Sequence, residues 1–328
     1  MRLQTLLTLV DGKLLNEPAI TSFENISFSA SKVNRGDLYI SLQGNFFDEA
    51  IHNGAYIILF DNELQITDEE IAWVKVSSLK TALTKLIRYH LSEKNIKAYK
   101  VDTPTSAILA SITKDRKLFF LQDTIEASVE KLYNLHENSI VFSSNEEMLK
   151  QIFSQVNTIS SNKKNLQITF QSLFNFSFIH NMIYYDRVEV SSFFISYFDQ
   201  VISLLEENSI TFSPKNIDPT PHFQVQFIDR FLHPIEFGKS ERALILEPDT
   251  TLAQLIFSFF VENAKWAKVI ALFPDEKPFE NSYIYKNIDE IAHILSNEVF
   301  GYAIIAGVDV SILEHSSFNS KPVQLSFL

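Results

Sequence analysis

The stretch Val33-Asn34-Arg35-Gly36-Asp37-Leu38-Tyr39-Ile40-Ser41-Leu42-Gln43-Gly44 carries the pattern on which the fold turns. Gly36-Asp37 is a turn signal, Leu38 to Leu42 is an apolar run of strand length, and Gly44 marks a second turn. Upstream, Ile26 opens a short strand. Downstream, a short helix is expected from Asp48 and an apolar strand from Tyr56 to Phe60. Strands and a short helix following one another this closely predict compact mixed α/β structure.

Further along, Leu79, Leu83, Leu86, Ile87 and Leu91 recur at helical spacing. Ser77 or Ser78 stands at the N-cap and Lys94-Asn95 at the exit, so a first domain ends near residue 95. Next come a strand near Ala98 to Val101, a helix from about Ser106 and a strand at Leu118 to Leu121. A helix from Asp123, a strand at Ile140 to Ser143 and a helix from Asn145 follow. Such alternation predicts a parallel sheet with crossover helices. Between Lys163 and Asn208 the pattern is less regular, although Phe194, Phe198, Val201, Ile202 and Leu205 mark a helix ending near Asn208. Pro214, Pro219 and Pro221 then mark a linker. Beyond it, strands are expected at Phe223 to Ile228, Ala243 to Leu246, Val269 to Phe273 and Tyr302 to Ala306. Helices are expected at Thr251 to Ala264 and Ile288 to Leu295, which makes a third α/β unit.

Length and composition fit this reading. At roughly 150 residues per domain, 328 residues predict about two domains, with one or three also allowed. Apolar residues at 46%, charged residues at 21% and a mean hydropathy of +0.02 are globular values. The 7 Gly residues are about 2% of the chain against a usual figure of about 7%, which disfavours glycine-rich phosphate loops. A net charge of −12 argues against a broad nucleic-acid surface. Without Cys there is no disulfide framework, thiolate nucleophile or sulfur-built zinc site, and the cytoplasm is the expected compartment. The start, MRLQTLLTLVDGK, lacks a small-residue cleavage site and reads as mature protein. The most apolar later run, Leu255 to Val261, is cut by Glu262 and Asn263, so no membrane span is expected.

No chemical motif is complete. Gly238-Lys239-Ser240 looks like the end of a phosphate-binding loop, yet His233 stands where the loop's first Gly is needed, and a strand rather than a helix follows. A surface turn is the better reading. The eight His are dispersed without zinc spacing, so no metal is expected. No Gly-x-Ser-x-Gly elbow occurs, and no catalytic residue is assigned. The carboxylates of Asp68-Glu69-Glu70 and Glu206-Glu207 read as solvated charge. Aromatics cluster at Ser172 to Phe178, Tyr184, Tyr185, Phe193 and Phe194. Core packing is the favoured explanation, a ligand platform or partner surface the alternative.

The segment from Val33 to Gly44 resembles the Val-x-x-Gly-Asp-Leu-Phe-x-Ala-Leu-x-Gly stretch of the Mur ligases, which add amino acids to UDP-linked muramyl peptides. Leu3 to Leu15, with Asp11-Gly12-Lys13, is similar to the family's opening helix and its Gly-Lys-Leu exit. Ala50-Ile51-His52-Asn53-Gly54-Ala55 is similar to its Ala-x-x-x-Gly-Ala turn, and the Leu79 to Leu91 helix to the one closing its first domain. Among members the chain looks most like the D-alanyl-D-alanine-adding ligase. Lys100-Val101-Asp102-Thr103-Pro104-Thr105-Ser106 sits where the family has Val-Thr-Gly-x-x-Gly-Lys-Thr-Thr, and Glu247-Pro248-Asp249-Thr250-Thr251 where it has Asn-Ala-Asn-Pro-Asp-Ser.

The resemblance implies a three-part α/β architecture: a small mixed N-terminal domain over 1–95, a shortened central ATPase-like domain over 96–213 and a Rossmann-like C-terminal domain over 214–328. It also exposes departures. The loop at Asp102, Thr103, Thr105 and Ser106 has neither Gly nor Lys, where the family's Lys-Thr holds ATP and magnesium. The Asp-Ser-Arg that helps hold the uridine nucleotide is replaced by Ser29-Ala30-Ser31, followed by Lys32. Ser29, Ser31 and Lys32 are therefore the only uridine-side candidates, and no residue matches the family's metal-binding His or carbamylated Lys. The expectation is a pseudoenzyme without cofactor that binds a cell-wall biosynthesis protein or a UDP-muramyl peptide. Two alternatives stay open. One is an enzyme with altered ligase or transferase chemistry, using the hydroxyls and Asp102 at the helix start; the other is a pure protein-interaction module.

Overall fold

The computed structural model describes residues 1–42, 44, 46–159, 165–275, 278–315 and 318. The chain divides into two compact units. The first comprises Met1–Asp102 and Asp115–Ile159, the second Thr103–Lys114 and Ser160–Leu328.

The first unit opens with helix α1 (Leu3–Val10) and strands β1 (Lys13–Leu14), β2 (Ile26–Ser27) and β3 (Leu38–Ile40). Helix α2 (Phe47–His52), strands β4 (Ile57–Phe60) and β5 (Ala72–Lys75) and helix α3 (Leu79–Leu91) follow. Five strands form one sheet in the order β1-β5-β4-β3-β2, parallel from β2 to β5, with β1 antiparallel at the edge. The alternation of side chains explains why β3 and β4 are apolar at every position. Leu38, Ile40, Ile57, Leu59 and Val74 enter one core with α1 and α3. Tyr39, Ile58, Phe60 and Trp73 enter a second core on the opposite face with Phe47 and Ala50 of α2.

The quoted motif owes its shape to two glycines and one carboxylate. Gly36 and Gly54 both have positive φ, +98° and +97°, and the Gly36 amide donates to the Gly54 carbonyl at 3.0 Å. A Cβ on Gly54 would lie 2.9 Å from Arg35 Cα. Asp37 is buried and accepts from the Asn34 amide at 2.8 Å, closing the turn that launches β3.

Ser78 caps α3 by accepting from the Thr81 amide, and Ala82, Leu83, Leu86, Ile87 and Leu91 are its buried stripe. Full burial of each large member stabilises the unit by about 1.5–3 kcal/mol. A four-stranded sheet completes the first unit: β6 (Lys97–Lys100), β7 (Leu118–Phe120), β8 (Ile140–Ser143) and β9 (Val156–Thr158), in the order β7-β8-β6-β9 and wholly parallel. Helices α5 (Ile125–Tyr133) and α6 (Glu146–Ile152) supply crossovers, capped by Thr124 and Asn145. The parallel sheet expected from the alternation is therefore present.

Helix α4 (Thr103–Ile112) follows β6 in sequence but packs with the second unit, against α7 (Ile195–Glu207). It starts at Thr103, three residues before the expected Ser106. Pro104 fits there because a first-turn residue needs no intrahelical amide partner. The second unit also contains an antiparallel sheet that the sequence reading passed over: β10 (Gln167–Gln171), β11 (Phe176–His180) and β12 (Ile183–Val188). Phe176, Phe178, Phe194 and Phe198 are fully buried between this sheet and α7, and Tyr185 stacks on Phe178 at 4.7 Å. Most of the aromatic cluster is thus core, while Tyr184 remains exposed.

The rest of the unit is a six-stranded sheet in the order β14-β13-β15-β18-β16-β17. Its strands are β13 (Gln224–Ile228), β14 (Pro234–Ile235), β15 (Ala243–Glu247), β16 (Val269–Phe273), β17 (Ser282–Ile284) and β18 (Tyr302–Ala306). The last four named run parallel, and β13 turns the edge antiparallel. Helix α8 (Thr250–Asn263) packs on β15, β16 and β18, and α9 (Ile288–Asn297) buries Ile291, Ala292 and Leu295 in the core that the sheet shares. The architecture is α/β throughout. No helix among the described residues is long and apolar enough to cross a membrane.

Candidate functional site

The residues aligned with a nucleotide loop occupy the passage from β6 into α4. Asp102 and Thr103 are exposed, Pro104 and Thr105 are buried, and Ser106 is half-buried. A phosphate cradle needs several convergent backbone amides, glycine to let phosphate approach and a cation beside it. Pro104 contributes no amide, Thr105 turns its hydroxyl-bearing side chain into packing, and no Gly or Lys occurs among residues 102–106.

The uridine-side candidates lie on a short 3-10 turn, Ala30–Lys32. The hydroxyls of Ser29 and Ser31 are 3.0 Å apart, and Asn53 holds the turn by donating to the Ala30 carbonyl at 3.0 Å. Lys32 extends to the Glu130 carboxylate on α5, 3.2 and 3.3 Å from its two oxygens. All three side chains reach solvent to some degree. The Lys32 ammonium is thus committed to a surface ion pair, of a kind worth about 0–1 kcal/mol.

Gly238-Lys239-Ser240 is a turn between β14 and β15 with Gly238 at φ +73°, and no helix follows it. Asp68, Glu69 and Glu70 lie on an exposed loop, where Asp68 accepts from the Glu70 amide at 2.8 Å. Glu206 and Glu207 are exposed at the end of α7. Among the described residues no group of three or more His, Cys, Asp or Glu is placed to hold a metal ion.

The chemically distinctive arrangement in the second unit is one the sequence did not disclose. Glu247, the last residue of β15, is completely buried, and His222, in the linker before β13, is 5% exposed. His222 Nδ1 lies 2.7 Å from Glu247 Oε1. The same carboxylate accepts from the Phe223 amide at 3.0 Å and from the Asp249 amide at 2.9 Å. Three donors around a buried carboxylate satisfy a group that would otherwise be costly to bury. Asp249 in turn caps α8, accepting from the Thr251 and Leu252 amides at 2.8 and 3.0 Å. A carboxylate can only accept, so Nδ1 carries the proton and Nε2 of a neutral His222 presents a lone pair. His222 borders a cavity of about 630 Å³.

The fold described is that of a Mur ligase-like α/β protein. Over 90% of this chain and 96% of the other, it superposes on a MurF ligase from Thermotoga maritima, solved in complex with ADP, with a TM-score of 0.51 at 12% identity. A MurF from Acinetobacter baumannii is similar over 97% of each chain, with a TM-score of 0.49 at 11% identity. Among curated sequences, UDP-N-acetylmuramoyl-L-alanyl-D-glutamate–2,6-diaminopimelate ligase 2 of Clostridium acetobutylicum is 30% identical over 99 residues. That match covers 28% of this chain and 20% of the relative's length. No protein-family model matches. The fold is that of the Mur ligases.

Proposed function

We propose that this chain is a non-catalytic relative of the Mur ligases that binds a peptidoglycan-synthesis enzyme or a UDP-muramyl peptide. The observation that carries this reading is the start of α4. Between Asp102 and Ser106 there is no glycine, no lysine and one proline, and Thr105 is buried. ATP-driven ligation needs a cationic cradle for the β- and γ-phosphates and a hydroxyl for magnesium; these residues supply no cation, and the Thr105 hydroxyl is buried. The same burial speaks against the alternative that uses Thr105 as part of an altered anion site. The division into a 1–95 N-terminal, a 96–213 central and a 214–328 C-terminal part belongs to the same reading. Ser29, Ser31 and Lys32 replace the family's Asp-Ser-Arg, and their place on an accessible turn leaves room for residual contact with a uridine nucleotide.

Thermal-shift titration with UDP-muramyl peptides, each with and without magnesium-ATP, tests the reading. A ligand at about 100 times its Kd stabilises the folded state by roughly 2.7 kcal/mol, which moves Tm by several degrees. The expected result is a shift with the UDP-peptide that magnesium-ATP does not enlarge, together with no magnesium-dependent ATP turnover. Turnover of ATP would overturn the proposal. If no nucleotide moves Tm, the precursor arm fails and the protein-partner arm is tested by pull-down with peptidoglycan-synthesis enzymes.

A further inference from the structure

The cavity beside His222 is built wholly within the second unit, from the β10–β11 turn, the segment after β12, the proline-marked linker and the edge of β13. Its volume of about 630 Å³ falls within the range of about 300–1,000 Å³ typical of small-molecule sites. Phe174, Phe194, Phe223 and Phe237 supply apolar wall. The titratable groups on the lining are Glu189, Asp218 and His222, with Glu247 directly behind His222 and no Lys or Arg among the lining residues.

The unmet polar side-chain atoms identified at this cavity are acceptors. His222 is nine-tenths buried, its Nδ1 is occupied by Glu247, and its Nε2 has no hydrogen-bond partner among the described residues. Asn175, another wall residue, has a buried Oδ1 that lacks a partner. Glu189 and Asp218 are exposed carboxylates on the lining without ion-pair partners among the described residues. Asp218 is fixed by hydrogen bonds from the Thr220 amide and hydroxyl, at 2.9 and 2.6 Å. A site holding unmet acceptors, negative charge and aromatic faces selects a ligand that brings donors, positive charge and an apolar body. An anion would meet Glu189 and Asp218 with no cation to offset them.

We propose that this cavity binds a small organic cation, a primary ammonium carried on an apolar body, with the ammonium donating to His222 Nε2 and drawn in by Glu189 and Asp218. Glu247 is the positioning residue that holds the His222 ring with Nε2 free. The proposal does not depend on whether the chain is catalytic.

The test is titration of the full chain with phenethylamine, followed by isothermal calorimetry and thermal shift, beside two isosteres, 2-phenylethanol-sized alcohol and 3-phenylpropionate. The amine should bind with millimolar or better affinity and raise Tm, while alcohol and carboxylate should bind at least tenfold more weakly. Because Glu189 and Asp218 are exposed, E189Q/D218N should fold normally and lose about tenfold in affinity, with a smaller salt dependence. H222N keeps a donor toward Glu247 but removes the Nε2 acceptor, and should lower affinity by a similar factor. Equal binding of the three probes, or an unchanged affinity in E189Q/D218N, would overturn the proposal, as would no binding of the amine at 10-fold above the millimolar range. Should H222N not fold, the E189Q/D218N result decides alone.

Discussion

Gly54 and Gly36 illustrate what single residues of the family-like motif do in this chain. Both adopt φ near +98°, and the space where a Gly54 side chain would go is filled by the Arg35 backbone. Their retention is accounted for by the turn that presents β3 to β4, with no ligand required. Gly54→Ala is therefore expected to destabilise the first unit by more than the ~1 kcal/mol of an ordinary Gly-to-Ala strain at positive φ, because Arg35 must also move. Urea denaturation compared with Gly238→Ala checks this. Gly238 also has positive φ but meets nothing within 4 Å, so it isolates the conformational part. Equal losses in the two variants would show that the contact with Arg35 adds nothing.

His90 gives a second prediction at the same scale. It stacks on Tyr133 with ring centroids 4.4 Å apart, and Nε2 donates to the Tyr133 carbonyl at 2.8 Å. Burial lowers its pKa below the usual histidine value, the Tyr133 carbonyl opposes this, and Lys94, 3.0 Å away, adds to the lowering. The folded state thus binds fewer protons at this site than the unfolded chain does. The contribution is fully present above about pH 6.5, the unfolded value, and is lost as pH falls through the lower folded value. His90→Gln should flatten the decline of stability between neutral and mildly acidic pH. Denaturation midpoints of both proteins across that window measure it, and parallel declines would sink the idea.

At the scale of elements, helix caps and strand alternation were legible, and the reasons lie in the chain. Leu79 to Leu91 repeats at 3.6 residues after a Ser, and Val269 to Phe273 and Tyr302 to Ala306 are apolar on both faces, as buried parallel strands must be. β5 was not legible because it spans only Ala72–Lys75 beside the acidic run Asp68-Glu69-Glu70. β10 and β12 carry Gln167, Thr169, Gln171, Asp186 and Arg187 on faces open to solvent, so neither shows a continuous apolar run. The His222–Glu247 pair was hidden for another reason: the partners are far apart in sequence, and neither belongs to a spacing that marks a site. Asp249, by contrast, stands one residue before a clear helix. Its two cap bonds predict that Asp249→Ala costs about 0.5–2 kcal/mol, read as a lowered urea midpoint. Asp249→Asn, which keeps an accepting oxygen, should restore most of the loss; no recovery would show that the charge at the helix start, rather than the cap bond, matters.

For the whole molecule, the informative feature is that sequence order and packing order diverge at α4. The alternation of strands and helices places this helix with β6 and β7, yet its tertiary partners lie in the second unit. Thr113 donates to the Thr211 carbonyl at 2.8 Å, the Ser213 amide to the Ile112 carbonyl at 2.8 Å, and the Asp218 amide to the Ser111 hydroxyl at 3.0 Å. Amide protection follows the cooperative unit to which a segment's contacts belong, not its sequence neighbours. Leu205 of α7 is fully buried, and Leu205→Ala is expected to destabilise the second unit by about 2–5 kcal/mol. Native-state hydrogen exchange should then show faster exchange in α4 and α7 together, while β6 and β8 keep the protection they have in the unaltered protein. If β6 loses protection in step with α4, the two units open as one cooperative block. If α4 alone keeps its protection while α7 loses it, the helix draws its stability from somewhere other than the contacts with α7.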